Sequence, residues 1–127
     1  MMPKVQAAIF DFDGTIADTL PLIYAAFDVA IAPSLGRSLS EREVRNLFGP
    51  TDHEIIRSVL DEQHHEHAIA TYNDFYEREH DRLARVFADM DRLLHRCRDV
   101  GVKVGIVTGK SRITAEISLK ALGLDDA

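Results

Sequence analysis

A single cysteine, Cys97, is all the chain carries, so no internal disulfide braces it and no oxidising compartment is implied. Cys97 shares a 3-4-3 spacing with Met90, Leu93 and Leu94, which predicts a small core residue on an apolar helix face rather than a nucleophile. No apolar run approaches the ~20 residues of a membrane-spanning helix. One lysine and a short apolar stretch precede Asp11, a poor match to a secretory signal. Basic residues are also in deficit: 15 Lys and Arg stand against 21 Asp and Glu, a net charge of −6. With no basic stripe, nonspecific nucleic-acid binding is not expected. Internal repeats and low-complexity tracts are absent as well. The expectation is a cytoplasmic protein that meets neither nucleic acid nor membrane, and that must solve any anion-binding problem locally.

What the chain does have is enough apolar content, 46% against 28% charged residues, for a globular core within one domain or one domain carrying an insertion. Val5 to Phe10 reads as a buried strand, short and closed by charge and glycine. A helical pattern then runs for about seventy residues. Leu20, Ile23, Tyr24, Phe27 and Ile31 mark a first amphipathic helix, with Pro33 to Gly36 expected to break it. Ser40 with Glu43, and Thr51 with Glu54, are capping-box signatures for two short helices, separated by Gly49-Pro50. A longer polar helix is predicted from about His65 to Arg85, burying Ile69, Tyr72, Phe75, Tyr76 and Leu83. An α/β rhythm returns with a helix from about Asp89 to Asp99 and a turn at Gly101. A strand follows over Lys103 to Val107, then a helix capped by Ser111 that carries Ile113, Ile117 and Ala121. Two strands fall short of the usual sheet, so the pattern reads as the first part of a larger fold.

The chemistry concentrates in Asp11-Phe12-Asp13-Gly14-Thr15. Alternation along an extended chain places Asp11 and Asp13 on one side, at the carboxyl end of a strand, where open α/β sheets hold ligands. Two anions ~6 Å apart at an effective dielectric near 20 repel by roughly 3 kcal/mol. A protein retains such a pair when a cation neutralises it or when one partner carries a proton. A calcium loop does not fit: glycine at position six of that template would put its first and twelfth ligands at Ile9 and Leu20. A plain Asp-Gly turn is the competing structural reading. Carboxylates at one strand tip, with Thr108 and Gly109 at a second, suit phosphoryl transfer, which needs an in-line nucleophile, charge neutralisation and a proton for the leaving oxygen. Asp11 is the candidate nucleophile and Asp13 the candidate acid and base. The amides around Phe12, Asp13 and Gly14, with Thr108 and Gly109, are the candidate phosphate nest.

These residues resemble the haloacid dehalogenase (HAD) superfamily. Asp11-Phe12-Asp13-Gly14-Thr15 matches its first motif, and Val107-Thr108-Gly109-Lys110 looks like its second. The helical insertion between them is similar to the cap of the phosphoglycolate phosphatase and β-phosphoglucomutase branch. The resemblance implies an α/β fold: a HAD-like Rossmannoid parallel sheet, incomplete here, with an inserted α-helical bundle cap. On that reading residues 1–16 are the first strand and catalytic loop, 17–85 the cap, and 86–127 the continuation of the core. It implies Mg²⁺ held by Asp11 and by the Asp13 carbonyl, an aspartyl phosphate on Asp11, and hydrolysis of a small phosphorylated metabolite. Thr108 and the Gly109 amide would hold the phosphoryl group.

Some features depart from the family pattern. Its third-motif lysine and fourth-motif acidic pair have no matching positions. Lys110 lies too close to Thr108 to be that lysine and is expected to face solvent or the phosphate mouth. Asp125 and Asp126 read as solvated tail charge. Asp13 argues against dehalogenation, which needs no proton for its leaving group. Lys4 is the only lysine from Met1 to Gly101, which leaves Schiff-base phosphonate chemistry without a cap lysine. Phosphomonoester hydrolysis is the main expectation, with a phosphosugar mutase or a non-catalytic phosphate-binding module as alternatives. Gly49 and Thr51 are placed like the family's specificity loop, with Arg45 one turn earlier, and these three with Lys110 are the candidate substrate contacts. His64, His65 and His67 lack the i, i+4 spacing of a helical zinc site and read as a solvated helix junction. Self-association through the incomplete sheet is the remaining expectation.

Overall fold

A computed structural model describes residues 4–124; Asp125 and Asp126 lie outside the described residues. In chain order the first elements are β1 (Ala7–Phe10), β2 (Ala17–Asp18), α1 (Leu20–Leu35), α2 (Glu41–Asn46) and α3 (Asp52–Val59). They are followed by α4 (Glu62–Leu83), β3 (Arg85–Val86), α5 (Ala88–Asp99), β4 (Lys103–Ile106) and α6 (Arg112–Ala121). No described helix is long and apolar enough to cross a membrane.

β1 and β4 pair in parallel, from Ala7 opposite Lys103 to Phe10 opposite Ile106. This pairing brings the two chemically marked strand tips side by side. Phe10 and Ile106 pack on one face against Phe12, Ile16, Met90, Leu94, Leu119 and Leu122. The strand is not buried on both faces as its continuous apolar run suggested. Alternation turns Ile9 to the opposite face, where it is 71% exposed, because the described helices cover only one side.

β2 and β3 are an unanticipated antiparallel pair, Ala17 opposite Val86 and Asp18 opposite Arg85. Two-residue strands are too short for alternation to be legible. Their effect is large, since they clamp together the points where the chain enters and leaves the helical segment. The Phe87 N–H adds a bond to the Ile16 carbonyl at 3.1 Å.

Between them, α1 and α4 pack along each other, with α2 and α3 alongside. The core there is Leu22, Phe27, Ile31, Val44, Ile56, Tyr72 and Tyr76, all nearly inaccessible. The Phe27 and Tyr72 rings stack obliquely at 4.8 Å between centroids. Both capping boxes form as expected. The expected break at Pro33 does not occur: α1 runs through it to Leu35 and ends at Gly36, whose φ is +81°. Pro33 and Val29 both lie on the exposed side, so the Val29 carbonyl that loses its helical donor can be met by water.

α6 also differs from expectation. Ile113 is 51% exposed, whereas Thr114 and Ser118 are fully buried. This helix turns a hydroxyl seam toward the helical segment because bonding partners wait there. Ser118 Oγ lies 2.6 Å from the Tyr76 hydroxyl and 2.8 Å from His80 Nε2. At the other end of α4, His65 Nε2 bonds the Leu60 carbonyl at 2.6 Å. No cluster of three or more metal-ligating side chains occurs among the described residues.

Candidate active site

The turn after β1 is held by its own backbone. The Phe12 side chain is buried at 1% exposure, and its carbonyl accepts the N–H groups of Thr15 and Ile16 at 3.1 and 2.9 Å. Gly14 adopts φ +75°, a region L side chains avoid, and its N–H closes the turn on the Ala17 carbonyl at 2.8 Å. Asp11 Oδ1 accepts the Phe12 N–H at 2.8 Å. Two amides expected to form a phosphate nest, those of Phe12 and Gly14, are therefore committed to the protein itself.

Asp13 is held more firmly. Its Oδ1 accepts the Thr19 hydroxyl at 2.5 Å and the Lys110 ammonium at 3.2 Å, and its Oδ2 accepts the same ammonium at 3.3 Å. Thr19 is fully buried and occupies the N-cap position of α1, yet makes no side-chain cap bond. The hydroxyl that would ordinarily cap the helix is spent on the carboxylate.

Lys110 does not face solvent. Its side chain is 3% exposed, and the ammonium sits 4.4 Å over the Tyr76 ring. Burial alone would disfavour the ammonium, but Tyr76, Asp13 and Asp52 outweigh it and hold the lysine above its ordinary pKa. The Lys110 N–H bonds Thr108 Oγ1 at 3.2 Å, which leaves that hydroxyl's own proton available to a ligand.

A second anchor comes from α3. Asp52, 7% exposed, accepts the Ser111 N–H at 3.2 Å and the Thr114 hydroxyl at 2.5 Å, and so caps α6 from across the fold. Beside it, His53 Nε2 lies 2.7 Å from Asn73 Oδ1. Asp52, Thr19 and Tyr76 all bear on the site, and the sequence marked none of them. Asp52 follows a capping threonine and looks like ordinary first-turn charge, and Tyr76 looks like plain core.

The strand tips and the helical segment enclose a cleft of about 270 Å³. Asp11, Asp13, Gly109 and Lys110 form its floor. Leu20, Ile23 and Phe27 from α1, Phe48, Gly49 and Pro50 from the loop, and Asp52, Ile55 and Tyr72 supply the walls. Gly49 is thus at the cleft as expected, but Arg45 and Thr51 do not line it. Arg45 is exposed, and Thr51 instead caps α3, accepting the Glu54 N–H at 3.2 Å. Phe12, Gly14 and Thr108 flank the cleft in sequence without lining it. A larger groove of about 910 Å³ lies between α5, β4 and α6. It contains neither Asp11 nor Asp13, and carries none of the chemistry above.

Residues 8–127 match the family described as haloacid dehalogenase-like hydrolase. Pyrophosphatase PpaX of Bacillus thuringiensis (strain Al Hakam) is 32% identical over 123 residues, which is 97% of this chain and 56% of that protein. The chain spans about half the length of the curated relatives it matches. Among solved structures, a predicted phosphoglycolate phosphatase from Haemophilus somnus 129PT superposes with a TM-score of 0.82 at 19% identity. That match covers 99% of this chain and 61% of the other. CbbY from Rhodobacter sphaeroides, in complex with phosphate, gives 0.77 at 19% identity over 94% of this chain and 57% of the other. At such identities these two establish the α/β fold alone.

Proposed function

The chain belongs to the haloacid dehalogenase-like hydrolase family, and from that premise we propose that it carries the nucleophile-bearing part of a phosphatase acting on small phosphomonoesters. The observation that carries this reading is the shared cleft. Asp11 and Asp13 from one strand tip meet Gly109 and Lys110 from the neighbouring parallel strand over a space the size of a small ester. Names of relatives, pyrophosphatase among them, support phosphoryl chemistry of this general kind.

In the proposed reaction an Asp11 carboxylate oxygen forms a bond to phosphorus as the bond from phosphorus to the ester oxygen breaks. The departing oxygen takes a proton from Asp13. Water then attacks the aspartyl phosphate while Asp13 takes its proton, which releases phosphate and restores both carboxyl groups. As the structure stands, Asp13 accepts from both Thr19 and Lys110, an arrangement suited to the water-activating half. Donating a proton requires Lys110 to loosen its hold. The Gly109 amide on the cleft lining, and the Thr108 hydroxyl beside it once a bound phosphoryl group reaches past that lining, are the proposed donors for the phosphoryl oxygens.

The donor set suits Mg²⁺ in type. Asp11 and the Asp13 carbonyl offer hard oxygens, and this ion takes one or two carboxylates beside water and phosphate. Among the described residues the charged side chains on the cleft are Asp11, Asp13 and Asp52 against Lys110, an excess of negative charge that a bound divalent cation would also offset. Such an ion, when bound, neutralises phosphoryl oxygens. The soluble, reducing setting expected for a lone buried cysteine belongs to the same proposal. So does self-association through the open sheet face bearing Val5, Ile9 and Val107, each more than half exposed.

Release of phosphate from a generic aryl phosphate, with and without Mg²⁺, tests the reading in a protein of the relatives' length that carries this segment. Turnover that needs Mg²⁺ is expected. Hexose-phosphate isomerisation without net phosphate release would replace hydrolysis with mutase chemistry.

A further inference from the structure

The Lys110 ammonium lies between two groups of opposite kind. On one side it meets Asp13, at 3.2 and 3.3 Å from the two carboxylate oxygens. Ammonium–carboxylate bonds usually close to about 2.7–2.9 Å, so the ion is shared between the oxygens and drawn fully onto neither. On the other side it sits 4.4 Å from the centre of the Tyr76 ring, inside the ~6 Å over which a ring face attracts a cation. The lysine side chain is 3% exposed, so water screens neither attraction.

The ring is itself pinned. Its hydroxyl lies 2.6 Å from Ser118 Oγ, which lies 2.8 Å from His80 Nε2. Ser118 belongs to α6, and Ser111, the N-cap of that helix, directly follows Lys110. Asp52 fixes the same helix entry by accepting the Ser111 N–H at 3.2 Å. Lysine and ring are thus referred to one short helix at two points, and α3 and α4 together set where the ammonium sits. Tyr76 is fully buried and is not among the described residues that line the cleft, so it reaches the chemistry through Lys110 and not by touching substrate.

We propose that Tyr76 is a positioning residue for leaving-group protonation, its ring face giving the Lys110 ammonium a second seat when it draws back from Asp13. This deepens, and rests on, the phosphatase reading. A carboxylate clamped by Lys110 is suited to taking a proton from water, whereas delivering one to the departing oxygen needs the clamp released. A buried ammonium cannot simply be let go, because an unpaired buried charge is costly. The Tyr76 face receives it at a short distance. Lys110 keeps all its protons throughout, and the one transferred passes from Asp13 to the leaving oxygen.

Two esters in a protein of the relatives' length that carries this segment test the assignment. The alkoxide leaving phosphoglycolate needs a proton, and the phenolate leaving para-nitrophenyl phosphate does not. Tyr76→Leu should lower kcat/KM for phosphoglycolate at least ~10-fold, a fraction of what a general acid contributes, and for the nitrophenyl ester less than ~3-fold. Tyr76→Phe, which keeps the ring and loses its pin, should recover most of the alkyl-ester activity. In a Lys110→Met background Tyr76→Leu should cost nothing further, as for two residues acting through one contact. Independently of turnover, the Lys110 ε-methylene protons should resonate upfield of those of the other lysines through the ring current of Tyr76, in Tyr76→Phe as well, with Lys110→Met giving the assignment. Equal losses on both esters, a loss that persists without Lys110, or an unshifted Lys110 would overturn the proposal and leave the phosphatase reading standing. If the parental protein releases phosphate from neither ester, the phosphatase reading fails, and the proposal with it.

Discussion

Replacing Lys110 with methionine isolates the contact that joins the two strand tips. The ammonium lies 3.2 and 3.3 Å from the Asp13 oxygens. At 3.2 Å and an effective dielectric near 20 the attraction is about 5 kcal/mol. Burying the lysine costs several kcal/mol in return, and methionine recovers the packing of the aliphatic stem. Removing one partner of a fully buried pair typically costs ~3–5 kcal/mol. Here the Asp13 side chain is 24% exposed and can regain part of its hydration, so the expected loss is about 1–3 kcal/mol. Urea unfolding followed by circular dichroism at pH 7 would measure it for Lys110→Met, Asp13→Asn and the double variant. The coupling energy should be at least ~1 kcal/mol, within the range for contacting residues, and should persist in added salt. By contrast, Arg78→Ala breaks a pair that is 62% and 70% exposed and should cost less than ~0.5 kcal/mol. A Lys110–Asp13 coupling as small as that would mean the lysine lies in solvent, and the description of the cleft floor would fall with it.

Asp52→Ala should cost ~1–3 kcal/mol, because it leaves the Ser111 amide without its acceptor and removes the shortest bond of the Thr114 hydroxyl at the α3–α6 contact. Hydrogen exchange of the first-turn amides of α6 should quicken while α1 stays protected, and uniform quickening would refute a local latch. His80 sets an acid limit: burial first, then the charge of Lys110, lowers its pKa below the ordinary 6.5. The unfolded chain therefore binds a proton near pH 6.5 that the folded chain resists. Stability from this residue is complete above that pH and erodes as pH falls toward the folded value, by at most ~1.4 kcal/mol per pH unit. His80→Gln should flatten that slope in urea titrations between pH 7.5 and 5, and an unchanged slope would assign it to other groups. Ile9→Lys, on the open sheet face, should reduce the apparent mass in light scattering if that face mediates self-association; a parental mass unaffected by the change would exclude it.

The parts of this fold that were legible in sequence are those where one local signal had one physical cause. The two capping boxes at Ser40 and Thr51, the Ser111 cap and the strand tips at Phe10 and Ile106 all follow from short-range patterns. Pro33 misled because a helix break depends on whether the freed carbonyl meets water, which is a tertiary fact. Ile113 misled because α6 buries hydroxyls, and helix periodicity assumes that the buried face is apolar. Within the site, Asp11 and Asp13 announced themselves by charge at a strand end. Asp52, Tyr72 and Tyr76 did not, since their roles depend on contacts across dozens of residues, such as Asp52 with Thr114. Arg45, whose spacing fits a substrate contact or a solvated helix charge equally well, is exposed and outside the cleft lining, and only the folded chain separates those two readings.

The central claim is that Asp11 attacks phosphorus while Asp13, held by Thr19 and Lys110, handles the proton. The most direct test compares Mg²⁺-dependent phosphate release by Asp11→Asn and Asp13→Asn with that of the parental sequence, in a protein of the relatives' length that carries this segment. Asp11→Asn should lose at least ~10³-fold in turnover, as expected for removal of a nucleophile, whereas Asp13→Asn should turn over slowly and still bind the phosphoryl group. Phosphate release by Asp11→Asn within tenfold of the parental rate would contradict the assignment of the nucleophile and, with it, the account of the site.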